Sequence, residues 1–83
     1  MSFNKLKQAV KKLQRALEEH GGSLDAQIRL AFEIEIQELL LEIDEQNERR
    51  KQELQAMYLK LLAGLLSALP VLKQLLDMFY HHF

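Results

Sequence analysis

Three histidines, three serines and a spaced set of glutamates are the side chains of this 83-residue sequence whose types could carry chemistry. His81 and His82 are adjacent, so on a helix they diverge by ~100° and cannot clasp one ion as an i, i+4 pair does. His20 stands in the last turn before Gly21, where a helix dipole favours a cation, and a structural role there accounts for it. Glu35, Glu38 and Glu42 share a helical side, as the ligands of carboxylate di-metal bundles do. That chemistry also requires Glu-x-x-His pairs on two other helices, and the sequence contains none. Ser2, Ser23 and Ser67 each fall where a helix needs a cap, and there is no cysteine or threonine to serve as an alternative nucleophile. Glycine-rich phosphate loops, HExxH and EF-hand patterns are absent from the sequence. No nucleophile, base and orienting group are brought together by spacing, so the expectation is a non-enzyme with no metal and no cofactor.

The composition narrows the class further. With 48% hydrophobic and 28% charged residues the chain is foldable, and 83 residues accommodate one domain spanning 1–83. The absence of cysteine removes disulfide scaffolds and thiolate zinc sites. A net charge of −1 argues against nucleic acid as a partner. The N-terminus is amphipathic and lacks the continuous apolar segment of a signal peptide, so localisation stays open and is consistent with cytoplasmic expression. A single core in a chain this short is marginal in stability.

The elements follow from hydrophobic spacing. Phe3, Leu6, Val10, Leu13 and Leu17 repeat at 3-4-3-4 and predict helix 1 over about 3–19, with Ser2 as N-cap and Gly21-Gly22 as the stop, one of them closing the last turn at positive φ. Ser23 then caps helix 2, about 24–43, with Asp25 in its first turn. Residues 1–20 carry five basic and two acidic groups, residues 21–45 one basic and seven acidic, so the two helices are expected to fold back on each other. From Leu24 to Leu69 there is no proline and one glycine, which would permit a 46-residue helix about 69 Å long. Asp44 to Glu53 contains no apolar residue, however, and the favoured reading is a hairpin tip at Asp44–Asn47 followed by helix 3, about 48–66. A short helix 4, about 68–81, follows a break at Pro70, with Ser67 as its cap. The expected architecture is an all-α, small antiparallel helical bundle of three long helices and a short C-terminal one.

Residues 54–83 are the most apolar third, with 20 of 30 hydrophobic, so most of that segment must be buried. Its longest charge-free stretch, Leu61 to Leu72, has 12 residues, short of the ~18–20 that cross a bilayer. Helix 2 carries two apolar faces. Ile28, Phe32, Ile36, Leu39 and Ile43 form one, and Leu30, Ile34 and Leu41 lie roughly opposite. The second face either packs on a neighbouring helix of the same bundle or meets a partner. The alternation Phe32-Glu33-Ile34-Glu35-Ile36 would also suit a strand, although its Leu- and Glu-rich flanks favour helix. The function expected is a helical protein-interaction or assembly module acting through an apolar helix face, by self-association or by binding a helical partner. Candidate anchors are Leu30, Ile34 and Leu41, with Met57 and Tyr58 second. The alternative is a membrane-surface protein using the Leu-rich C-terminal helix. Serine caps, a Gly-Gly-Ser turn and Leu/Glu/Lys/Gln helices also match the way designed bundles and binders are written, whereas Pro70 and the Phe-Tyr-His-His-Phe end depart from it.

Overall fold

A computed structural model describes residues 1–74. It contains α1 (Phe3–His20), α2 (Ala26–Asp44) and α3 (Lys51–Ala68), joined by the 3-10 turns Gly21–Ser23 and Glu48–Arg50. Residues 71–74 are again helical, and no strand occurs among the described residues. The remainder of the expected helix 4, including His81 and His82, lies outside them.

Each boundary has a local cause. Ser2 is extended and its hydroxyl accepts from the Lys5 amide, the N-cap that the sequence predicts. The start of α2 differs from expectation, because Asp25, not Ser23, is its cap, its carboxylate accepting from the Gln27 amide at 2.9 Å. Ser23 instead ends the 3-10 turn, and the extended Leu24 separates the two. No glycine has positive φ, so Gly21 does not close α1 in a left-handed conformation. It sits at φ −77°, its amide bonded to the Leu17 carbonyl, and its missing side chain leaves space that Leu17 and Arg29 fill.

The hairpin reading of Asp44–Asn47 is the observed one. Gln46 makes the turn without glycine or proline by adopting φ 51°, and its amide bonds to the Ile43 carbonyl. Asn47 then accepts from the Arg49 amide and starts the 3-10 turn. Arg50 ties the hairpin, its guanidinium reaching Glu53 on its own helix and Glu42 across the turn at 2.9 Å. The hydrogen bonds it donates to Glu53 and to Glu42 hold its pKa above the ordinary arginine range, so the clamp keeps its positive charge. At the other end, Ser67 does not cap a following helix, since it lies inside α3. Pro70 instead forces Leu69 out of helical geometry, to φ −129° and ψ 83°, and that ends α3.

Five contacts fix the directions of the helices. Lys7 near the start of α1 meets Asp44 at the end of α2 at 2.7 Å, and Gly21 lies against Arg29, so α1 and α2 are antiparallel. The Phe32 ring lies over Gly64, which with the short hairpin makes α2 and α3 antiparallel. Gln55 donates to the Met1 carbonyl and the Lys51 ammonium stands 5.0 Å above the Phe3 ring, so α1 and α3 run the same way. The core gathers Phe3, Leu6, Val10, Leu13 and Leu17 from α1, Ile36, Leu39 and Ile43 from α2, Leu54, Leu61 and Leu65 from α3, then Leu69 and Leu72. Extents of 36 × 34 × 16 Å exclude the 69 Å rod.

Candidate interaction surface

Helix α1 spends its whole apolar stripe on the core, since all five predicted positions are buried. Helix α2 does not. Only its C-terminal half supplies fully buried side chains, while every residue of 25–31 is exposed. Ile28, assigned to the inward stripe by its spacing, is 49% exposed, which corrects that assignment. Its angular phase is right, but it lies one turn beyond Phe32, itself half-buried, at the end of α2 that supplies no fully buried side chain.

The second face of α2 packs on neither neighbouring helix. Leu30, Ile34 and Leu41 are 55%, 48% and 67% exposed. At ~100° per residue they fall within about 40° of one another, and at 1.5 Å per residue they form a row about 16 Å long. Contacts of Gly21 with Arg29, and of Phe32 with Gly64, place α1 and α3 on the other sides of α2. The explanation by a central helix covered on both faces therefore fails for these three residues. The exposed Gln37 continues the row between Ile34 and Leu41, and Gln27, Glu33, Glu38 and Glu45 border it.

The second-choice anchors stand elsewhere and do not form one site. Met57 is 38% exposed on α3, and Tyr58 is half-buried against the core. Leu59 and Val71 are exposed aliphatics that the sequence reading passed over.

Other chemistry has little to rest on. A cleft of about 230 Å³ between α1 and α2 is lined by Gln14, Leu17, Glu18, Glu33, Ile36 and Gln37, and it is smaller than the ~300–1,000 Å³ of ordinary ligand pockets. Among the described residues no three His, Asp or Glu side chains gather as metal ligands would, and no polar residue is buried. Glu42, one of the three glutamates singled out for metal chemistry, is engaged by Arg50. Among the described residues no helix is long and apolar enough to cross a membrane. No family model matches the chain, and no characterised protein or solved structure is similar to it.

Proposed function

We propose that the chain is a non-enzymatic helical interaction or assembly module that works through the outer face of α2. The observation that carries this reading is the row Leu30, Ile34 and Leu41, three large aliphatic side chains left about half in water outside the core that the described residues form. A surface helix gains nothing from a second apolar face unless that face is covered, because burial of such side chains is worth ~1.5–3 kcal/mol each when complete. Aliphatic anchors in line on one helix are the means by which helix-against-helix recognition is achieved.

The membrane-surface alternative has less support, since Leu61, Leu65, Leu69 and Leu72 of the Leu-rich segment are already in the core. The module reading is independent of origin. Ser2, Asp25 and Asn47 cap their helices as a designer would write them, whereas the left-handed Gln46 is a residue that an idealised design would replace by glycine.

A photoreactive side chain at Gln37, within the row but not one of its anchors, tests the reading in cells that produce the chain. Adducts are expected from position 37, absent from position 11 on the solvated side of α1, and lost when Leu41→Glu is added. No adduct from position 37 sinks the proposal.

A further inference from the structure

We infer that the occupant of this face is a cationic amphipathic helix of another protein, whose aliphatic side chains cover Leu30, Ile34 and Leu41 and whose lysines or arginines flank them. This rests on the reading of the α2 face as an interaction surface and adds the chemistry of the partner. Two observations carry it, the sign of the charges bordering the row and the lack, among the described residues, of cations to pair with most of them.

Leu30, Ile34, Gln37 and Leu41 follow one another at 4-3-4, the spacing of the seam along which two helices pair side by side. In that repeat the positions on either side of the seam, which meet the flanks of a partner helix, are Ala26, Ala31, Glu33, Glu38, Leu40 and Glu45. Three of them are acidic and none is basic. Glu45 keeps the helical phase, since as the C-cap of α2 it has φ −69° and ψ −19°. Glu33 meets Arg29 of its own helix, whereas among the described residues Glu38 and Glu45 pair with no cation. Residues at these flanking positions set partner choice through interhelical ion pairs, so the complementary helix carries lysine or arginine there.

The end of α2 asks for the same charge. Its last turn holds no basic residue, although carboxylates there stand at the negative end of the helix dipole. Lys7 answers Asp44 and Arg50 answers Glu42, but no cation of the described residues answers Glu45. A second copy brings the wrong sign. Set parallel, it puts Glu33 beside Glu38; set antiparallel with Leu30 on Leu41, it puts the two Glu38 on one flank and the two Glu33 on the other. An anionic bilayer is opposed by the same border. At about 16 Å the row is covered by roughly three turns of a partner helix.

Two labelled synthetic peptides of about three heptads test the inference by fluorescence anisotropy against the full chain, both with Leu along the seam and one with Lys, the other with Glu, at every flanking position. Each peptide repels its own kind and so stays free to bind. The Lys-flanked peptide is expected to bind at least about tenfold more tightly than the Glu-flanked one, since three flanking contacts change from attraction to repulsion. Leu41→Glu should weaken the Lys-flanked peptide about tenfold or more. General attraction to an acidic protein would instead strengthen, because that substitution adds negative charge. Glu38→Lys combined with Glu45→Lys should reverse the preference, with helical circular dichroism unchanged because both side chains are exposed. Equal affinity for the two peptides, binding of neither, a preference that the double variant does not reverse, or Lys-flanked binding that survives Leu41→Glu overturns the cationic partner. So does a wild-type dimer in sedimentation velocity, or binding to phosphatidylserine vesicles, that Leu41→Glu abolishes. The photoreactive variant at Gln37 separates the two levels of the argument. An adduct from position 37 without the charge preference overturns the cationic helix and leaves the interaction reading standing, and no adduct removes both.

Discussion

A methyl group added at Gly21 would lie 3.1 Å from Leu17 Cδ1 and 3.3 Å from Arg29 Cδ, whereas one added at Gly22 would meet nothing within 4 Å. Leu17 is hemmed in at 2% exposure, so it cannot yield without disturbing the core. Gly21→Ala is therefore expected to destabilise by ~0.5–2 kcal/mol through crowding. Gly22→Ala, with no positive φ to oppose it, should be neutral or stabilising by up to ~1 kcal/mol through the unfolded state. Denaturant melts of the two variants read this contrast directly. Gln46 is the reverse case, a side chain in a conformation that costs ~1–2 kcal/mol for a residue with a Cβ. Gln46→Gly should recover about 0.5–1 kcal/mol of that and raise Tm by roughly 2–8 °C, and a lower Tm would show the turn to be unstrained.

Capping and packing decide matters at the level of whole helices. Because Asp25 and not Ser23 caps α2, Asp25→Ala should cost ~1 kcal/mol and Ser23→Ala within ~0.5 kcal/mol, measured by urea melts. Ile28 and Ile36 share the inward phase of α2, yet the first is exposed and the second is fully buried. Ile28→Ala should change stability by under about 0.5 kcal/mol and Ile36→Ala by ~2–5 kcal/mol. These pairs also show what the sequence made legible and why. Helix α1 could be read entirely, because its five apolar residues have no second face to compete with. Position around a helix is encoded in spacing, so the opposition of Leu30, Ile34 and Leu41 to the core was legible. How far along its axis a helix is covered depends on the neighbouring helices, which spacing within α2 does not report, and that is why Ile28 was misplaced. The cap of α2 was missed for a similar reason: Ser23 and Asp25 both have the right chemistry, and the 3-10 turn that uses up Ser23 arises only from the meeting of two helices. Gln46 carried no signal, since glutamine gives no hint of left-handed backbone.

For the molecule as a whole, long-range charge contributes little beside the core. Lys7 and Asp44 are both well exposed, so their pair is worth ~0.2–1 kcal/mol and is screened by salt. Raising ionic strength roughly tenfold, across the range in which exposed charges become screened, should therefore shift Tm by only a few degrees. A large fall would mean that α1 is held to α2 by charge. Leu65→Ala, at the meeting of the helices, should instead cost ~2–5 kcal/mol and broaden or abolish the transition. The contact of Phe3 with Lys51 has a consequence for biosynthesis. The first helix leaves the ribosome with its apolar stripe uncovered, and the residue that closes over its first turn is made 48 positions later. At ~5–20 residues per second that is a delay of roughly 2–10 s, during which the nascent α1 must either wait in an unfolded form or be shielded by a chaperone.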